Sequence, residues 1–137
     1  MRLTLYTDYS LRALIYLAQH PGRRVPLHEI ARSNRISQNH LAKVMSRLSS
    51  SGVVRARRGR AGGLELADTP QQVSIGRIVR LMEGEMDCIA PCAPTGARGC
   101  VLAGKCRLRG LFARSVAAFM AVLDRVSLSD MAAATAR

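Results

Sequence analysis

Ser37-Gln-Asn-His-Leu-Ala-Lys-Val-Met-Ser-Arg-Leu-Ser-Ser50 and, three residues on, Val53-Val-Arg-Ala-Arg-Arg-Gly-Arg-Ala-Gly-Gly-Leu-Glu-Leu66 are the stretches that decide the fold. In the first, Leu41, Val44, Met45 and Leu48 recur at helical spacing, which predicts a helix from Gln38 to about Ser50, opened by Ser37 and ended by Gly52. Its outward positions are Gln38, Asn39, His40, Lys43 and Arg47. The second stretch alternates as a strand over Val53–Arg57, turns through Arg58–Gly63 and returns at Leu64–Leu66, the pattern of a hairpin. Just upstream, an extended Val25-Pro26 leads into a brief helix, Leu27 to Arg32, with Ile30 inward. Two short helices across a tight turn form a helix-turn-helix, and the basic, glycine-rich hairpin behind them makes it a winged helix. The fold class expected is therefore mainly α with a small β-hairpin wing.

Outward from this centre, Tyr6–Ala18 reads as a helix with Leu11, Leu14, Ile15 and Ala18 on one face, Thr7 as its cap and Asp8 in its first turn; His20-Pro21-Gly22 stops it. Ser74 caps a further helix, Ile75 to about Glu83. Residues 84–105 carry Gly, Pro and cysteine without periodicity. A long helix then runs from about Cys106 to Arg125, and Phe112, Val116, Phe119, Leu123 and Val126 step along it as a heptad seam. Such a seam packs on its own domain or on a second copy; with so small a core, the second is expected. A short terminal helix begins at Ser127. The organisation expected is a winged-helix domain over 1–83, a cysteine-rich loop over 84–105, and a dimerisation helix and C-terminal tail over 106–137.

A chain of 137 residues, 48% hydrophobic and 4% aromatic, fits one domain with an aliphatic core. No run approaches the roughly 18 apolar residues of a membrane span, and Asp8 and Arg12 stand where a signal peptide would be apolar, so a cytoplasmic location is expected. Lys and Arg number 21 against 9 acidic residues, and residues 1–80 hold 14 of the cations and only 4 of the acids. The first half of the chain thus suits a polyanion, and all but Lys43 and Lys105 of the cations are Arg, whose planar fork fits phosphate and guanine. Gln38 and Asn39 can pair with adenine edges, and His40 or Lys43 with guanine or phosphate, while Arg58 and Arg60 at the wing tip suit a minor groove. Double-stranded DNA is the partner these residues imply. Nothing points to an enzyme: there is no nucleophile pair or paired carboxylates, and Gly59–Gly63 lies in a hairpin rather than before a helix as in a phosphate loop.

The four cysteines, Cys88, Cys92, Cys100 and Cys106, all fall within one short segment. That concentration in an otherwise cysteine-free chain points to a metal rather than to disulfides. Zinc knuckles use two close pairs, and only Cys88-x₃-Cys92 qualifies; the looser Cys92-x₇-Cys100-x₅-Cys106 spacing suits an iron–sulfur cluster. Spacing alone leaves both open. Arg98, Lys105 and Arg107 nearby would favour thiolates.

Thr7-Asp-Tyr-Ser-Leu-Arg-Ala-Leu-Ile-Tyr-Leu-Ala18, Ser37-Gln-Asn-His-Leu-Ala-Lys-Val44, Arg58-Gly-Arg-Ala-Gly-Gly-Leu64 and Cys100-Val-Leu-Ala-Gly-Lys-Cys-Arg-Leu108 together resemble the bacterial iron–sulfur winged-helix transcriptional repressors. Asn39-His40 and Leu123-Asp-Arg-Val-Ser-Leu128 are in the style of their nitric-oxide-sensing branch. The resemblance implies a homodimer on a palindromic operator, with one iron–sulfur cluster per subunit, 4Fe–4S ahead of 2Fe–2S, and nitric oxide as the signal. It also implies Cys92, Cys100 and Cys106 as ligands, with Cys88 the departure from a three-cysteine pattern, and Asp8 of the other subunit as a fourth, harder ligand. Relatives that use a histidine three residues after the last cysteine differ here, where Arg109 stands. An iron- or redox-responsive regulator of the same family, or a zinc-stabilised repressor, are the alternatives.

Overall fold

The computed structural model describes residues 2–84, 101–102 and 105–135. Its helices are α1 (Leu5–Ala18), α2 (Leu27–Asn34), α3 (Gln38–Ser50), α4 (Ile75–Glu83), α5 (Arg107–Asp124) and α6 (Leu128–Thr135), with one antiparallel pair, β1 (Val54–Arg57) and β2 (Gly63–Leu66), between α3 and α4. This is the helix-rich winged-helix architecture expected.

α1 is the centre of the packing. Ala13, Leu14 and Leu17 on its inner face are buried against α3, α4 and α6, joined by Ile30 of α2, Leu41, Val44 and Leu48 of α3, and Ile78 and Val79 of α4. Each such aliphatic side chain removed from water contributes about 1.5–3 kcal/mol, which lets a core almost free of aromatics hold the fold. α1 starts earlier than its apolar face suggests: Thr4 is the cap, and its hydroxyl accepts from the Thr7 N–H at 3.4 Å. Thr7, expected as the cap, is instead buried inside the first turn. α2 ends at Arg35, a non-glycine residue in the left-handed region (φ 54°), from which the Ile36 N–H reaches back to the Ala31 carbonyl at 2.9 Å. That tight turn sets α3 across α2.

In the hairpin, Val54 faces Leu66 and Arg57 faces Gly63. Val25 bridges Leu64 with two hydrogen bonds of 2.9 Å, so the extended Val25-Pro26 segment adds a third edge that fastens the wing to the helices. Gly62 is required in the turn, because a Cβ there would lie 2.4 Å from the Arg57 carbonyl oxygen.

The seam on α5 belongs largely to this chain's own core. Val116 is buried, and Phe119, Leu123 and Val126 pack against the cluster of buried residues. The exposed apolar side chains of α5 are Leu108, Leu111 and Val122, at 50%, 47% and 64% exposure. At 3.6 residues per turn they share the adjoining stripe. α6 begins with a reciprocal cap: the Ser127 N–H donates to Asp130 at 2.8 Å, and the Asp130 N–H donates to the Ser127 hydroxyl at 3.2 Å. The entries to α4 and α6 are paired, with Ile75 N–H donating to the Val126 carbonyl and Leu128 N–H to the Val73 carbonyl, both at 2.9 Å. No helix among the described residues is long and apolar enough to cross a membrane.

Candidate functional site

Burial of Leu41, Val44, Met45 and Leu48 leaves α3 one free face, and it exposes Gln38, Asn39, His40 and Lys43. Ser37 opens the helix without a side-chain cap, so the first amides of α3 lie at the same end as Gln38 and Asn39. That end carries the partial positive charge of the helix dipole, favourable toward a phosphate. Arg58 and Arg60 project from the exposed hairpin tip, beside the same helix.

Pairing divides the cations into two groups. Arg12 pairs with Asp8, Arg23 with Glu29, Arg24 with Glu65, Arg77 with Asp68 and Arg80 with Asp124. Lys43, Arg47, Arg55, Arg57, Arg58 and Arg60, on α3 or the hairpin, have no ion pair among the described residues; nor do Arg2, Arg32, Arg35, Lys105, Arg107, Arg114 and Arg125 elsewhere in the chain. The six on α3 and the hairpin, beside Gln38 and Asn39, add there the positive field that attracts a polyanion.

His40 is held in place by two residues that sequence reasoning missed. Its ring stacks on Tyr9 (centroids 6.3 Å apart, planes at 19°) and meets the edge of Tyr6 (6.4 Å, 60°). The signal was available: two of the three tyrosines stand three apart at the start of α1, on one face of the helix and off the stripe of Leu11, Leu14, Ile15 and Ala18. Glu83, the last residue of α4, was also missed. Its carboxylate accepts from the Thr4 N–H at 2.7 Å, the Thr4 hydroxyl at 3.0 Å and the Thr7 hydroxyl. Burial pushes this carboxyl up, but the hydrogen bonds from Thr7 and Thr4 outweigh it and hold it below its ordinary value. Glu83 thereby clamps the first turn of α1 to the end of α4, where the cysteine segment begins. One turn earlier on α4, Arg80 forks onto Asp124, the last residue of α5, with two bonds of 2.6 Å, tying α4 to the C-terminal end of α5.

Of the expected metal ligands, Cys92 and Cys100 lie outside the described residues, as does Cys88. Cys106 is a free, half-buried thiol at the N-cap of α5. A thiol is a side chain of the kind that holds a metal. Asp8 is exposed and pairs with Arg12 one turn on, at 3.2 Å. The described residues of one chain bring no group of three or more His, Cys, Asp or Glu together.

Residues 3–134 match the Rrf2 family of iron-dependent transcriptional regulators. The chain is 43% identical over 136 residues to the HTH-type transcriptional repressor NsrR of Streptomyces coelicolor, covering 98% of this chain and 90% of that one. It is 41% identical over 132 residues to the HTH-type transcriptional regulator NsrR of Bacillus subtilis, covering 96% and 90%. Among solved structures it resembles CymR, the global cysteine regulator of B. subtilis, with a TM-score of 0.81, 28% identity and 98% of each chain covered. It also resembles T. potens IscR, with a TM-score of 0.76 and 26% identity over 96% of this chain and 85% of that one.

Proposed function

The chain belongs to the Rrf2 family of transcriptional regulators, and from that premise we propose that it is a cytoplasmic, homodimeric repressor whose hold on a palindromic operator is set by an iron–sulfur cluster responsive to nitric oxide. The observation that carries the DNA half is the unpaired cationic face of α3 and the hairpin. Gln38 and Asn39 read base edges in the major groove, Lys43 and the edge of His40 take guanine or phosphate, and Arg58 and Arg60 enter the neighbouring minor groove. The cluster half is supported by the Cys106 thiol, the cysteine segment and the relatives named NsrR.

Cys92, Cys100 and Cys106 would hold the group, a 4Fe–4S cluster on this reading, with Asp8 of the second copy as its fourth ligand and Cys88 not required. Bound there, it supplies thiolate-held iron with affinity for nitric oxide. The chain's own residues do the rest. The cysteine segment leaves α4 at Glu83 and enters α5 at Cys106, so a change in it bears directly on one joint, Glu83 with the first turn of α1, and through the helices on a second, Arg80 with Asp124 at the opposite end of α5. The first joint carries Tyr6 and Tyr9 against His40 of α3; the second carries the helix with the exposed apolar stripe. Moving either one alters the spacing of two recognition helices that must match half-sites on the groove repeat. A second reading, an iron-responsive regulator using the same cluster, is favoured by the family's description as iron-dependent.

The test is operator binding by variants across a salt series. Affinity should fall steeply with salt, and Asn39→Ala or Gln38→Ala should relax sequence choice more than they lower binding to random DNA. A footprint with no palindrome, unchanged by these substitutions, would remove the DNA-reading assignment.

A further inference from the structure

His40 is the third residue of α3, exposed at the same end as Gln38 and Asn39, and its ring nitrogens make no hydrogen bond among the described residues. An exposed histidine ordinarily turns about its terminal torsion, which has broad wells, and offers either nitrogen or a carbon edge to whatever approaches. Here two rings restrict it. Tyr9 lies nearly parallel to the imidazole (19°, centroids 6.3 Å apart), and Tyr6 meets it at 60° and 6.4 Å, both within the range of interacting aromatic pairs. The Tyr9 wall is itself fixed. Its ring is half-buried and packs against the core cluster, while Tyr6 remains 41% exposed. The turn of α1 that carries both is clamped by Glu83 through Thr4 and Thr7, and Arg12, one turn on, donates to the Asn34 carbonyl at the end of α2. The start of α1 is thereby held against the helix-turn-helix, and the plane of His40 with it.

Contact with a phosphate needs no such restraint, because a phosphate presents acceptor oxygens in several directions. Contact with a base edge does, since the major-groove edge of each base pair is a fixed, in-plane pattern of donors and acceptors. A freely turning neutral imidazole, with one donor and one acceptor nitrogen, matches guanine and adenine alike, whereas a ring held in one plane presents one edge. We propose that Tyr9 and Tyr6 are specificity-determining residues, which set the plane of His40 so that its N–H donates to the N7 and O6 edge of a guanine at one base pair of each half-site. They are positioning residues, acting through His40 without touching a base themselves. This assignment rests on the DNA-binding reading and deepens it: His40 takes guanine rather than phosphate, and part of the sequence choice is placed on α1, outside the recognition helix.

The test is binding-site selection from a pool of randomised duplexes by the full chain and its variants, reading base preference position by position, with melting temperatures measured alongside. His40→Ala should identify the base pair, where a preference for guanine of about tenfold falls below about threefold. Tyr9→Leu, which keeps an apolar side chain on the core but no ring, should relax that same base pair and no other. Tyr9→Phe, which keeps the ring, should preserve the preference. Tyr6→Ala removes the second wall from an exposed position and should relax the same base pair at an unchanged melting temperature. In the double variant of His40→Ala with Tyr9→Leu, the loss should equal that of His40→Ala alone, the mark of two residues acting as one. A guanine preference untouched by both Tyr9→Leu and Tyr6→Ala, or a loss spread evenly over the site, would overturn the assignment and leave DNA binding standing. So would a His40→Ala chain that keeps every base preference. A wild-type chain that selects no sequence would overturn both this assignment and the operator reading beneath it.

Discussion

Glu83 ends α4 with its carboxylate turned onto α1, where three donors converge on it. Because its folded-state pKa is depressed, the stability it contributes is present above the ordinary carboxylate range and is lost as pH falls through its folded value. Glu83→Gln should cost about 1–2 kcal/mol at neutral pH, since charge-assisted hydrogen bonds are replaced by neutral ones. The gap between wild type and variant should close as pH drops below the carboxylate range, read by denaturant unfolding across pH; a gap independent of pH would show that the charge is not what matters. Sequence made Thr7 a cap because a threonine before an aspartate and an apolar run has that form. Its partner, the half-buried Glu83, is 76 positions away, and no local pattern announces such a pairing. The exposure of Gln38, Asn39 and Lys43 was legible because four buried neighbours at helical spacing fix where the rest of α3 must face.

Among the elements, α4 and α5 approach closely at Gly76. Gly76 lies on α4 where a Cβ would stand 2.0 Å from Asp124 Oδ1 and 3.0 Å from the Asp124 amide nitrogen. Asp124 in turn is forked onto Arg80, whose guanidinium holds its carboxyl below the ordinary value. Gly76→Ala should therefore displace the Asp124 side chain and lower stability by about 1–3 kcal/mol, measured as a fall in melting temperature, even though alanine is the better helix former. An unchanged or raised melting temperature would mean that the two helices separate without cost. α2, α3, the hairpin and α4 followed the sequence closely, because period and turn residues agree in each. The heptad on α5 was readable as a heptad, but periodicity states only that a stripe is covered, not by what. Val116, Phe119 and Leu123 are covered by this chain, and Leu108, Leu111 and Val122 were left for the adjoining stripe. The bridges Val25–Leu64 and Ser74–Ser127 pair residues far apart in sequence and had no local signature.

For the whole molecule, that exposed stripe is the face we assign to a second copy, since contiguous exposed apolar side chains on a helix this long mark an interface. Val122→Arg should convert a species of twice the chain mass into monomer by sedimentation velocity and weaken operator binding severalfold, because two recognition helices on one body bind together what each binds weakly alone. A variant that remains dimeric would move the interface elsewhere. The charge division between residues 1–80 and the rest of the chain was plain from composition, and the structure adds that six of those cations stand without an ion pair on α3 and the hairpin. The central claim is that a cluster sets the hold on DNA. It is tested most directly by titrating operator DNA with anaerobically purified protein before and after stoichiometric nitric oxide, following the absorption spectrum in the same sample. The account predicts a coloured protein whose operator affinity falls at least tenfold as its iron–sulfur absorption is lost, with binding to random duplex little changed. A colourless protein carrying zinc, or operator affinity that holds steady while the absorption disappears, would contradict it.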